Sequence, residues 1–275
     1  MIEVFEQDVR TNARQSSKGN QLKWESQGFW YKADYTGYEG LAEYVISHLL
    51  QLSDLQPEEY VLYEPVQIRY HDRLFTGARS RDFLEQGWQI FTLERLFQQY
   101  FGESLNKAVW SITAPAERLS FLVNQVERIT GLPGFGKHMN KVLTVDAVFL
   151  NEDRHTHNLA VLMNEKGEFR YCPIFDNGAG LLADTTIDYP LGADEYTLIS
   201  RVKGKTFSTS LEEQMNVSEE LYGMNLHFRF TGEDIDMLLA SNEESSDACY
   251  YSAEIRSRVK KILHEQMRKY PYLFK

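Results

Sequence analysis

The sequence predicts an α+β protein of two lobes, a small β-rich one over residues 1–80 and a mainly helical one over 81–275. Three observations carry this reading. Up to residue 70 the apolar residues fall in short runs that suit strands, interrupted by one helical stretch. Beyond about residue 88 they recur at helical spacing. Within that helical part stands a single hairpin pattern, Leu159 to Phe175, which directly follows the polar run Asn151-Glu152-Asp153-Arg154-His155-Thr156-His157-Asn158. A chain of 275 residues is long for one compact core and natural for two lobes.

The first lobe opens with a short strand, Ile2 to Phe5, and a second ends as Phe29-Trp30-Tyr31-Lys32. Between them Ser16-Ser17-Lys18-Gly19-Asn20-Gln21-Leu22-Lys23 is small and polar, a loop that offers backbone N–H groups and a lysine to phosphate oxygens. Tyr38 to Leu52 reads as a helix with Glu39 and Glu43 one turn apart on one face. Tyr60 to Tyr63 and Val66 to Tyr70 read as two further strands, and a hinge is expected within 71–88, where His71-Asp72-Arg73 and Gly77 to Arg81 break the periodicity.

In the second lobe Leu93, Leu96, Phe97, Tyr100 and Phe101 keep helical spacing, as do Leu119, Leu122, Val123 and Val126 after Pro115, a residue suited to a helix start. Gly134-Phe135-Gly136-Lys137 reads as a turn. Val142 to Leu150 is apolar enough for a buried helix. Asn158 opens a strand, Leu159 to Met163; Asn164 to Gly167 is a turn, and Glu168 to Phe175 the returning strand, ending at Asp176-Asn177-Gly178. Asp184 to Ser210 is rich in Gly, Ser, Thr and Lys, with Lys203 and Lys205, and reads as a mobile loop. Thr231-Gly232-Glu233-Asp234 is a capping-box-like helix start. The last helix puts Ile255, Val259, Ile262, Leu263 and Met267 on one face, and Arg256, Arg258, Lys260, Lys261, Arg268 and Lys269 on a solvated one.

A hairpin brings its two open ends together, so Asn158 and Asp176 are expected near each other, an amide oxygen and a carboxylate able to share one metal ion. The chemistry that needs this set is phosphoryl transfer, in which one Asp takes the proton of the acceptor hydroxyl while an Asn and a second Asp hold magnesium. Asp153-x-x-x-x-Asn158 alone is a weak pattern; between a buried helix and a hairpin ending in Asp-Asn-Gly it is specific. A strand lysine followed by a helix glutamate belongs to the same chemistry, which makes Lys32 the ATP contact and Glu43 or Glu39 its partner. His155 and His157, flanking Thr156, invite a zinc reading; beside an Asp and an Asn they read better as loop-positioning groups, His155 first.

At these residues the chain resembles the HipA-like serine/threonine kinases, which share an atypical kinase fold related to the phosphatidylinositol 3- and 4-kinases. The resemblance lies in Asp153-Arg154-His155 followed by Asn158, in Pro173-Ile174-Phe175-Asp176-Asn177-Gly178, and in Ser16-x-x-Gly19-x-Gln21-x-Lys23. It implies Asp153 as catalytic base, Asn158 and Asp176 as Mg²⁺ ligands, and Ser16, Gly19, Gln21, Lys23, Lys32 and Glu43 around ATP. Some members phosphorylate a serine of the phosphate loop, which expels that loop; Ser16 matches the position. HipA-like toxins carry a further small subdomain ahead of the loop, whereas here the loop begins within twenty residues of Met1. The resemblance therefore covers roughly residues 12–270, and an antitoxin or a small accessory protein is the implied partner.

Composition narrows the rest. The chain is 43% hydrophobic and 25% charged with a net charge of −11, which disfavours direct nucleic-acid binding, since phosphate neutralisation needs clustered Lys and Arg. No apolar run approaches ~20 residues and no signal-like segment opens the sequence, so no membrane contact and a cytoplasmic location are expected. Two cysteines, Cys172 and Cys249, are too few for a disulfide framework. The expected function is transfer of the ATP γ-phosphate, with Mg²⁺, to a Ser or Thr hydroxyl of a protein. A lipid or small-molecule kinase is the second reading, and a pseudokinase acting as a binding module the third.

Overall fold

The computed structural model describes residues 1–10, 21–244 and 251–275. Along the chain run β1 (Ile2–Glu3), β2 (Lys23–Ser26), β3 (Phe29–Ala33), α1 (Glu39–Leu50), β4 (Tyr63–Tyr70), β5 (Arg73–Arg81), β6 (Trp88–Thr92), α2 (Leu93–Phe101), α3 (Leu105–Ser111) and α4 (Pro115–Thr130). There follow α5 (Phe135–Phe149), β7 (Ala160–Asn164), β8 (Phe169–Tyr171), α6 (Glu195–Ile199), α7 (Leu211–Tyr222), α8 (Gly232–Glu244) and α9 (Ala253–Lys269). They form two compact units that interleave in sequence. The first takes Met1–Phe83, Phe175–Arg201 and His227–Lys275, the second Leu84–Ile174 and Val202–Leu226.

The first unit is built on a five-stranded sheet in the order β1-β4-β5-β3-β2, antiparallel except where β1 joins β4. Both of its hairpins turn on two residues with positive φ, Gln27-Gly28 and His71-Asp72, the backbone that matches the twist of paired strands. One face buries Val4, Trp24, Tyr31, Ala33, Val66 and Ile68, each large apolar side chain gaining about 1.5–3 kcal/mol from burial. Helix α1 packs against β4 and β5. There Gly40 meets Gly77, and a Cβ added to Gly40 would lie 2.5 Å from the Gly77 carbonyl carbon.

Three expectations for this unit are corrected. Residues 63–70 form one continuous strand, with Pro65 paired to Ala78 on one edge; β1 reaches only Ile68 and Arg69 on the other, so the missing proline N–H deprives no neighbour. The hinge expected in 71–88 gives way over half of its length to β5, a central strand bonded on both sides. Its arginines disguised the alternation, and Gly77, read as a break, is there because a Cβ would fall 2.0 Å from the Lys32 carbonyl oxygen. Arg258, placed on a solvated face of α9, is buried and donates to the carbonyls of Tyr189 and Pro190.

The second unit packs α2–α5 and α7 with the three-stranded antiparallel sheet β6-β7-β8. Strand β6, Trp88–Thr92, was not foreseen: five residues that run straight into α2 leave little alternation to read. Thr92 closes β6 and caps α2, accepting from Arg95 N. Strand β8 ends at Tyr171, short of the expected Phe175. Helix α5 begins at Phe135, where Gly134 with φ 78° starts it, and twelve of its residues are buried. Cys172 is a buried thiol; Cys249 lies outside the described residues. Among the described residues no helix is long and apolar enough to cross a membrane.

Candidate active site

In the first unit the candidate side chains gather around the end of β3. Helix α1 has no side-chain N-cap at Tyr38; instead Glu39 folds back, its carboxylate accepting from the backbone N–H groups of Tyr35, Thr36 and Gly37 and from the Thr36 hydroxyl. Glu39 is thereby committed to the helix start. One turn on, buried Glu43 takes Lys32 Nζ at 2.6 Å with one oxygen and the Asn177 N–H at 2.9 Å with the other. Lys32 Nζ also lies 2.6 Å from Asp176 Oδ1, a contact spanning 144 residues of chain, and 5.1 Å from the centre of the Tyr63 ring. Burial pulls the Lys32 ammonium down, yet the Asp176 and Glu43 carboxylates push harder the other way and hold it well above the usual lysine value.

Asp176 has φ 60°, in the left-handed region, and so do Leu181 and Leu182 at 53° and 58°, both fully buried. Bulky residues adopt this conformation only when their surroundings enforce it. Here the Tyr38 hydroxyl donates to the Leu181 carbonyl at 2.6 Å, the Tyr38 N–H donates to Ala183, and Gly37 bridges to Asp184. The segment after Asp-Asn-Gly is thus stitched along the entry to α1, the helix that carries Glu43. No motif announces Tyr38, and only the folded chain shows its role.

In the second unit the polar run emerges from the end of α5. Leu150, with φ 57°, stops the helix, and Asp146 inside its last turn takes the side chains of Asn151 and Arg154. Arg154 reaches on to the Asn158 carbonyl at 3.4 Å, and Thr156 donates to Glu94 on α2 at 2.7 Å. Anchored in this way, the loop closes on itself: the Asn158 amide donates to the Asp153 carbonyl at 2.9 Å and to its Oδ2 at 3.3 Å. Asp153 Oδ1 lies 3.0 Å from Lys205 Nζ. The His157 N–H donates to His155 Nδ1, so in the neutral ring the proton sits on Nε2, 4.0 Å from Asp153 Oδ1.

The structure thus brings Lys32, Glu43 and Asp176 together in one unit, and Asp153 and Asn158 together in the other. Gln21 donates its side-chain amide to the Ala33 carbonyl, and Lys23, buried, stands opposite Lys32 in the β2–β3 register. Ser16 and Gly19 lie outside the described residues.

No protein-family profile and no curated protein matches this chain. Among solved structures it is similar to the Helicobacter pylori proinflammatory kinase CtkA, with a TM-score of 0.59 and 13% identity over 98% of this chain and 95% of that one. The fold is kinase-like.

Magnesium, with Asn158 and Asp176 as its ligands, is what the sequence resemblance implies. An amide oxygen and a carboxylate oxygen are donors of the kind Mg²⁺ takes: in the second unit the Asn158 amide nitrogen is turned to Asp153, and in the first Lys32 holds one oxygen of the Asp176 carboxylate. Among the described residues no group of three or more His, Cys, Asp or Glu side chains is assembled for a metal; Mg²⁺ ordinarily takes one or two carboxylates plus phosphate oxygens and water.

Beside the lysine of this kinase-like fold, Asp34 accepts from Gly40 N at 2.6 Å, from the Thr76 hydroxyl at 2.6 Å and from the Tyr251 hydroxyl at 2.8 Å. Burial pushes its carboxyl up to about 6 despite the Thr76 and Gly40 hydrogen bonds, with Glu39 adding to the rise. The folded chain therefore holds this proton up to about 6, whereas an unfolded aspartate releases it near 3.8. Between those values the folded state binds more protons, so acidification through the window favours folding. In urea unfolding, the stability of the wild type relative to Asp34→Asn is expected to rise as the pH falls from about 7 to about 5; a difference flat in pH would show that Asp34 is not buried as a titrating group.

Proposed function

We propose that this chain is an ATP- and Mg²⁺-dependent phosphotransferase of the HipA-like kind, acting on a Ser or Thr hydroxyl of a protein. The observation that supports it best is the double contact of Lys32, with Glu43 on α1 and with Asp176 144 residues away. A lysine so held is positioned for the α- and β-phosphates. Asp153 orients the acceptor hydroxyl and takes its proton as the oxygen bonds to the γ-phosphorus and the bond to ADP breaks. By the sequence resemblance Asn158 and Asp176 are the residues that would hold Mg²⁺, which when bound would offset the charge of the phosphates. Autophosphorylation at Ser16, an antitoxin or small accessory protein as partner, and a cytoplasmic location belong to the same reading and rest on the sequence resemblance.

The test is γ-phosphate transfer from Mg-ATP by the purified protein, alone and with cell lysate, read by phosphosite mass spectrometry beside Lys32→Ala and Asp176→Ala. Transfer by the wild type, reduced at least ~100-fold in both variants, is expected. Phosphate arriving only on lipid or small molecules would replace the acceptor class. A wild type that binds no nucleotide would overturn the enzyme reading altogether.

A further inference from the structure

Lys205 is an exposed residue set between buried ones, and each neighbour has a reason to be fixed. Gly204 donates its N–H to the Thr209 carbonyl, and a Cβ there would lie 1.9 Å from Gln214 Nε2 and 2.8 Å from the Ser208 carbonyl oxygen, so a larger residue would force its neighbours to shift. Thr206, fully buried, donates its hydroxyl to the Arg154 carbonyl at 2.6 Å, inside the Asp-Arg-His run itself. Phe207 is fully buried and its carbonyl accepts from Arg118 on α4 at 3.0 Å. What read in sequence as part of a mobile loop is here a turn pinned on both sides of one lysine. Its ammonium is delivered to Asp153 Oδ1 at 3.0 Å, with the lysine side chain 42% exposed and the Asp153 side chain 10% exposed.

The lysine of this pair is 42% exposed, so water screens it, and stability alone does not account for so much fixed structure around it. Around Asp153 stand His155, with Nε2 at 4.0 Å, and behind the loop Arg154 paired with Asp146. Lys205 meets the Asp153 carboxylate within hydrogen-bonding distance. Asn158 holds the other oxygen. Two fixed donors set the plane of the carboxylate, and with it the direction from which a hydroxyl approaches. Such orientation is worth orders of magnitude in rate, because the reacting oxygen must arrive in line with the phosphorus.

We propose that Lys205 is a positioning residue for phosphoryl transfer, which fixes the Asp153 carboxylate and supplies positive charge beside the acceptor oxygen. The proposal rests on Asp153 being the base, as put forward above. Steady-state kinetics of the full chain with Mg-ATP tests it, comparing wild type, Lys205→Ala, Lys205→Met, Lys205→Arg and Asp153→Asn, with thermal melting of each. For Lys205→Ala and Lys205→Met, kcat is expected to fall ~10- to 100-fold with KM for ATP within ~2-fold. Lys205→Arg recovers part of the loss, and added ethylammonium recovers part of it in Lys205→Ala. A misfolded variant regains nothing from a small cation, so rescue separates charge from fold. Unchanged or increased kcat in Lys205→Ala, or a loss that neither arginine nor ethylammonium relieves, overturns the proposal while the kinase reading stands. Transfer retained by Asp153→Asn removes Asp153 as the base and this proposal with it, while the kinase reading stands; no transfer by the wild type removes both.

Discussion

Asp153→Asn is expected to lower kcat for phosphoryl transfer by ~10²- to 10⁴-fold, the range that loss of a positioned general base commands. The substitution keeps the shape of the side chain and removes its basicity. One carboxylate oxygen now accepts from Asn158 and the other lies against Lys205; an amide turns a donor toward one of them and has no site left for the acceptor's proton. The groups that meet nucleotide in the proposal, Lys32, Glu43 and Asp176, pair among themselves. ATP affinity measured by calorimetry or fluorescence should therefore stay within ~3-fold of the wild type. The Lys205 partner is 42% exposed and stays solvated when the charge of Asp153 is removed, so the melting temperature should hardly move. Asp153→Asn that still transfers phosphate at a rate near the wild type would show that another group takes the proton.

Much of this arrangement is legible in the sequence where chemistry and local pattern coincide. Lys32 at a strand end, followed by a helix with a glutamate, is enough to suggest an ion pair. Sequence leaves Glu39 and Glu43 open, because both share a helix face; the choice falls to Glu43 since Glu39 turns back to serve the three N–H groups ahead of α1. Their place between a buried helix and a hairpin ending in Asp-Asn-Gly singles out Asp153 and Asn158, and the loop bonds between them follow from a five-residue separation. What stays hidden depends on distant partners. Lys205 is 52 residues from Asp153, and nothing in Lys-Gly-Lys-Thr says which lysine faces the base. Tyr38 meets Leu181 across 143 residues. Strand β5 carries Arg73, Arg79 and Arg81, which mask its alternation, although it is central in its sheet. Arg258 looks solvated because one helix face collects six cations, yet its guanidinium satisfies two carbonyls in the interior.

Arg154 shows how a motif residue can act on stability before it acts on chemistry. Its side chain is 3% exposed and that of Asp146 1%, and Nε and Nη2 hold both carboxylate oxygens. Even so, Asp146 is pushed above the usual carboxylate range, because burial outweighs the arginine beside it. Arg154→Ala would leave that carboxylate buried without its cation, and a loss of ~3–5 kcal/mol is expected in urea unfolding near neutral pH. With the arginine gone Asp146 rises further in the folded state while the unfolded value is unchanged. The penalty belongs to the ionised form, so it is present above the folded value and relieved as the pH falls through it; the deficit of Arg154→Ala should be smaller at about pH 5 than at about pH 8. Replacing the pair together, Asp146→Leu with Arg154→Met, removes both charges and should recover most of the stability. Activity should not return with it. Arg154 also reaches the Asn158 carbonyl, and Asp146 takes the Asn151 amide, so the double variant keeps a packed helix end under a loop that has lost its ties. Restored stability with phosphoryl transfer still down by ~10-fold or more would assign the pair to positioning Asp153 and Asn158. Full recovery of both would reduce it to a device of the core.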